Sequence, residues 1–171
     1  MNLPVTVFDM VMMGRRPYQR WTAGRKDYRK VWDILELIHL EELAPQYVGE
    51  LSGGEQQKVS IACALAQEPE ILLMDEPTNN LDINHQLEVM KIIDKLILTK
   101  GLTVITAIHD LNIAARFSST VLMLKKGHVI QCSCPKNIIT AANIKLLYNA
   151  DTEVISYRGF PCVIPSKKGR Y

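Results

Sequence analysis

Two short stretches hold residue types suited to phosphate chemistry: LSGGEQQ, Leu51 to Gln57, and ILLMDEP, Ile71 to Pro77. In the first, Ser52, Gly53 and Gly54 stand where a helix should begin, so free backbone N–H groups and the positive end of the helix dipole favour an anion. Two residues without Cβ let a phosphate approach the backbone, and Ser52 adds a hydroxyl donor. The same residues also read as a plain capping box, Ser52-x-x-Glu55, with no ligand. In the second stretch, Asp75 and Glu76 close an apolar run, which sets two carboxylates at the carboxyl end of a strand, where open α/β sheets bind ligands. One can hold Mg2+ through water while the other polarises an attacking water as general base, the division of labour of phosphoryl transfer. The alternative is a simple cap. His109 ends a later apolar run, from which it could reach a γ-phosphate beside Glu76 or serve as a structural histidine.

The elements that must position these groups follow from periodicity. Helical spacing covers Thr6 to Met13 and Asp27 to Leu40, the latter aligning Val31, Ile34, Leu35 and Ile38. The segment GRRPYQRWTAGR between them contains Pro17 and Gly24 and reads as a connection. After Ser52, Val59, Ala62, Cys63 and Ala66 continue an apolar stripe. EILLMDE, between Pro69 and Pro77, fits a strand buried on both faces, and LTVITAI, Leu102 to Ile108, a second. Between them a helix runs from about Asn84 to Thr99 and is closed by Gly101. DLNIAARF, with Asp110 in its first turn, is a short helix. TVLMLKKGHVIQC is a hairpin turning at Lys126 and Gly127, and VISYRGFPCVI another turning at Arg158 and Gly159. Two short helices, near Cys134 to Thr140 and Ala141 to Tyr148, separate the hairpins. The whole argues for an α/β layer with a parallel sheet.

Composition bounds the function. The chain has 171 residues, 47% hydrophobic and 22% charged, the balance of a globular protein. A net charge of +2 gives no nucleic-acid footprint, so the basic runs at Arg15 and Arg16, at Arg20 to Lys30 and at Lys167 to Arg170 read as solvated faces. No segment is apolar for long enough to span a membrane. At the start, Asp9 lies within the apolar part and the arginines follow it, the reverse of a secretory signal, so a cytoplasmic location is expected. Cys63, Cys132, Cys134 and Cys162 lack disulfide-framework spacing and are read as reduced, small buried hydrophobes rather than, with His128, a metal site.

Taken together, LSGGEQQKVSIACALAQEPEILLMDEPTNNLD followed by HDLN resembles the nucleotide-binding subunit of ABC transporters, in its signature sequence, Walker B strand, D-loop and switch histidine. TVFDMVMMGRRPY, LDINHQLEVM and HDLNIAARF are similar to the subgroup that imports iron-siderophore, haem and vitamin B12 complexes. The resemblance implies a P-loop NTPase-type core, here truncated, with a partial helical subdomain over residues 1–50, the signature helix and ATPase core over 51–131, and C-terminal helices and hairpins over 132–171. It implies ATP and Mg2+ as cofactors. Ser52, Gly53, Gly54 and Glu55 would contact the γ-phosphate of ATP bound on a partner subunit, Asp75 would sit in the magnesium shell, Glu76 would be the general base, Asp82 the D-loop aspartate and His109 the switch. It implies membrane-spanning permease subunits and a second ATPase subunit as partners, a periplasmic or surface substrate-binding protein indirectly, and a peripheral position on the inner face of the cell membrane.

Three departures stand out. Glu55 occupies a position where the family most often has Gln, and capping-box geometry would turn its carboxylate back to the N–H of Ser52 and away from phosphate. Lys58 and Cys63 stand where arginines are usual, trimming surface ion pairs worth under about 1 kcal/mol each. No G-x-x-x-x-G-K-[ST] phosphate loop is present, since none of the nine glycines precedes a lysine. The expectation is the later part of an import ATPase, with the loop upstream of Met1 and little ATP binding or hydrolysis by this chain alone. A non-catalytic regulatory or relic piece is one alternative. A soluble ABC ATPase without a transport role is another, although the arm insertions or duplicated cassette of such proteins are not seen.

Overall fold

A computed structural model describes residues 4–18 and 22–166. The basic residues Arg20, Lys167, Lys168 and Arg170, and part of the expected connection after Tyr18, lie outside them. The chain forms two compact units, Met1–Ala107 and Ile108–Tyr171.

In the first unit, helix α1 (Val7–Met13) starts at Thr6, whose hydroxyl oxygen accepts the Asp9 N–H at 3.1 Å. Helix α2 (Arg25–Leu37) buries Val31, Ile34 and Leu35, with Ile38 just beyond its end, the stripe its spacing requires. Its Tyr28 stacks on Phe8 of α1 and its Trp32 packs tilted against the same ring, with ring centroids 5.8 and 5.4 Å away. Helix α3 (Gly53–Leu65) buries Val59, Ile61 and Ala62 and crosses α1 closely at Gly14: a Cβ built there would stand 2.2 Å from the Cys63 carbonyl oxygen.

Arg15 is not on a solvated face. It is buried, donating from one terminal nitrogen to the Ala66 carbonyl at 2.8 Å and to Glu68 at 2.9 Å, and from Nε to Asp27 at 3.2 Å. Its guanidinium also lies 4.2 Å from the Tyr18 ring centroid. A planar fork that satisfies several acceptors at once is what makes a buried arginine tolerable, and here it ties α2 to the end of α3. Lys58, also expected at the surface, is buried too, with its ammonium 2.6 Å from Glu88.

Strand β1 (Ile71–Asp75) pairs in parallel with β2 (Thr103–Ala107), Asp75 opposite Ala107. Helix α4 (Ile83–Lys100) connects them, packs on β2 and ends at Gly101 in the left-handed conformation (φ 63°). The parallel sheet is present, but among the described residues it has two strands and only one covered face. Leu72 is buried, whereas Leu73 is 71% and Ile105 57% exposed. Burial on both faces needs helices on both, and α4 can cover one.

The second unit contains α5 (Leu111–Phe117), the hairpin β3 (Val121–Lys125) and β4 (His128–Ser133), α6 (Pro135–Ile138), α7 (Ala141–Tyr148) and the hairpin β5 (Thr152–Tyr157) and β6 (Phe160–Pro165). Both hairpins turn where expected, with Lys126, Gly127, Arg158 and Gly159 at positive φ. A small core of Ala115, Met123, Ile138, Ile139 and Ile144 holds the unit together. Asn112 acts as a staple, accepting the Val163 N–H at 2.7 Å. Cys132 and Cys134 are exposed, contrary to the expectation of buried thiols, because Cys132 lies in β4, which turns most of its residues to solvent, and Cys134 is the N-cap residue before α6; all four cysteines are free.

Candidate nucleotide site

The candidate anion site is the first turn of α3. Ser52 is the N-cap in extended conformation (φ −62°, ψ 159°), and Glu55 closes the capping box. Glu55 Oε2 accepts the Ser52 N–H at 2.8 Å and the Ser52 hydroxyl at 2.7 Å. The carboxylate therefore points back into the turn, as the capping-box reading required. The Ser52 hydroxyl, and then the Ser52 N–H, hold the Glu55 carboxyl below the usual range. The two glycines differ. Gly53 is exposed, and a Cβ there would meet nothing nearer than Leu81 Cδ2 at 3.8 Å. Gly54 is buried, and a Cβ there would run into the His85 ring, 2.4 Å from Cδ2. Gly53 thus keeps the backbone open to solvent, while Gly54 lets α4 approach.

The candidate carboxylate pair ends β1. Asp75 is exposed in its last position, opposite Ala107. Glu76 follows with φ 46°, a left-handed conformation unusual for Glu, and donates its N–H to the Ala107 carbonyl at 3.0 Å. Its carboxylate accepts from the Asn79 amide at 2.9 Å, and the Asn79 N–H donates to the Glu76 carbonyl at 3.0 Å. The hydrogen bond from Asn79 restricts the rotation of the Glu76 carboxylate. Asp82 caps α4, accepting the His85 N–H at 2.9 Å, with its other oxygen 2.8 Å from His85 Nδ1. The His85 N–H, then the ring, hold its carboxyl below the usual range. Gln86 donates to the Thr78 carbonyl at 3.2 Å, bracing the segment between β1 and α4.

The first unit thus gathers Ser52, Gly53, Gly54 and Glu55 in one turn, Asp75 and Glu76 at one strand end and Asp82 at one helix cap. His109 belongs to the second unit, exposed and one residue before Asp110, which caps α5 through the Asn112 and Ile113 N–H groups. Sequence reasoning passed over Asn79 and His85. Asn79 follows Glu76 in a turn-rich PTNN segment, a signal that could have marked it. His85 carries no such signal, because its contact with Gly54 joins two helices.

A strand ending in paired acidic residues and a helix opened by Ser-Gly-Gly thus belong to one α/β unit. An ABC transporter family model matches residues 4–79. An uncharacterised ABC transporter ATP-binding protein of Methanocaldococcus jannaschii is 47% identical over 161 residues, covering 94% of this chain and 63% of that protein. The iron(3+)-hydroxamate import ATP-binding protein of Bacillus subtilis is 41% identical over 155 residues, 89% of this chain and 57% of that one. Among solved structures, an inward-facing metal-chelate type ABC transporter superposes with a TM-score of 0.90 at 28% identity, covering 98% of this chain and 70% of that chain. The chain belongs to the ABC transporter ATP-binding family. It spans less than two thirds of the length of these two curated relatives.

Proposed function

We propose that this chain is the ATP-hydrolysing component of an importer of iron chelates, haem or cobalamin, using ATP and Mg2+. The observation that carries the reading is the helix start at which Ser52 and Gly53 are exposed, together with the exposed Asp75 at the end of β1, in a chain 41% identical to an iron(3+)-hydroxamate import ATP-binding protein. The exposed N–H of Gly53, with those of Gly54 and Glu55 at the helix start, receives the γ-phosphate of nucleotide on a second ATPase subunit, and the Ser52 hydroxyl turns from Glu55 to join them. Glu76, steadied by Asn79, takes the proton from the attacking water; Asp82 and His109 act as D-loop and switch residues.

Among the described residues no cluster of three or more His, Cys, Asp or Glu could hold a metal ion. This fits Mg2+, which is bound through one or two carboxylates plus substrate phosphates, and Asp75 supplies such a carboxylate. Bound there, the ion would neutralise charge developing on the phosphates. Residues 1–50 present the helical surface to membrane-spanning permease subunits, 51–131 carry the ATPase core and 132–171 the accessory helices and hairpins. The protein sits on the cytoplasmic face of the membrane, with a substrate-binding protein acting from the other side.

The test is ATP turnover by this chain completed with the G-x-x-x-x-G-K-[ST]-bearing segment of a curated relative: turnover is expected, with Glu76→Gln lowering it by about 10^2 to 10^4-fold. The 171-residue chain itself should bind Mg-ATP weakly by calorimetry. No turnover by the completed chain, or micromolar affinity of the isolated monomeric chain, would overturn the reading.

A further inference from the structure

His85 is absorbed by no role so far, yet its ring lies between two proposed functional elements. On one side, its Cδ2 and Cγ stand 2.4 and 2.7 Å from the place a Gly54 Cβ would occupy, so the imidazole rests against the backbone of the signature turn. On the other side, Nδ1 lies 2.8 Å from Asp82 Oδ2, while Asp82 Oδ1 accepts the His85 backbone N–H. An ionised Asp82 only accepts hydrogen bonds, so the proton of the neutral ring resides on Nδ1. One turn further along both helices, Lys58 of α3 is 2.6 Å from Glu88 of α4. These contacts lock the beginnings of α3 and α4 at two successive turns. They also explain why the second glycine of the pair has no room for a side chain although its backbone is helical.

We propose that His85 is a positioning residue for the signature turn: it fixes the backbone of Gly53, Gly54 and Glu55 relative to Asp82, so that γ-phosphate donors and D-loop aspartate move as one body. The inference rests on the reading of that turn as nucleotide-contacting.

Amide spectra and hydrogen exchange of the 15N-labelled chain test this without nucleotide. His85→Ala should shift the Gly53, Gly54 and Glu55 amides and speed their exchange by about tenfold or more, leaving the far turn of α3 around Leu65 unchanged. His85→Asn, whose amide reproduces the donor facing Asp82 and the atom facing Gly54, should restore them; His85→Gln, with its amide one carbon further out, should not. Unmoved Gly53 to Glu55 amides in His85→Ala, or a uniform change along all of α3, would overturn the proposal. Should His85→Ala not fold, the Asn and Gln variants decide it alone, and equal spectra for those two would overturn it. A failure here removes the role of His85 and leaves the ATPase reading to its own turnover test.

Discussion

Gly14→Ala isolates a steric cost from a conformational one. Gly14 is the C-cap of α1 with φ −62° and ψ −22°, torsions any residue adopts. Alanine there would lower unfolded-state entropy and, taken alone, stabilise by about 0.4–1 kcal/mol. The space is the obstacle. The added Cβ would stand 2.2 Å from the Cys63 carbonyl oxygen and 2.9 Å from Ala66 Cβ. Ordinary contact begins near 3.4 Å, so α1 and α3 must separate by about 1 Å. The nearer atom is helix backbone and cannot swing aside as a side-chain tip would, which sets the overpacking cost at the upper part of its usual range of about 1–3 kcal/mol. The net expectation is a loss of about 2 kcal/mol. In a urea titration followed by far-UV circular dichroism, with a slope of about 2 kcal/mol per molar, the midpoint should fall by about 1 M at unchanged slope. Gly49→Ala is the control: nothing lies within 4 Å of a Cβ at that position, so its midpoint should hold or rise slightly. A Gly14→Ala midpoint equal to that of wild type or of Gly49→Ala would refute the close crossing of α1 and α3, and with it the packing that aims the signature turn.

Three further expectations follow from the charges and the exposed sheet. Asp27, Glu55, Glu68 and Asp82 all have carboxyls held low, chiefly by the Gly24 N–H, the Ser52 hydroxyl, Lys30 and the His85 N–H respectively. A carboxyl depressed in the folded state contributes stability above its unfolded value that is lost as pH falls through the folded one, so the melting temperature should drop below about pH 4. Asp94, raised by burial, opposes this trend, since protonation relieves it. Glu55→Gln should flatten part of the acid limb, and an unchanged melting-temperature profile between pH 3 and 6 would contradict the Ser52–Glu55 geometry. The uncovered sheet face predicts self-association: light scattering should show aggregates, and Leu73→Lys with Ile105→Lys should reduce them without loss of helical signal. A wild-type chain already monodisperse as a monomer would count against it.

Local signals carried much of the architecture. The cap at Ser52, the αL stop at Gly101 and the two glycine-containing hairpin turns are decided within a few residues, where backbone sterics and nearby donors dominate, so the sequence displays them directly. The turn of Glu55 back onto Ser52 was legible for the same reason. The pairing of β1 with β2 in parallel followed from an apolar run, a helix and a second apolar run.

What the sequence by itself determined is therefore the identity and order of the elements and the chemistry offered at their ends. Tertiary structure alone decided which charged side chains are buried, which face of a strand is covered and which helices touch. Arg15 looked like a solvated basic residue until Asp27, Glu68 and the Ala66 carbonyl closed around it, and nothing in the sequence told that His85 would fill the space beside Gly54. Burial and contact depend on residues far apart in the chain that meet only after folding, and no periodicity within a single element records the partner it will meet.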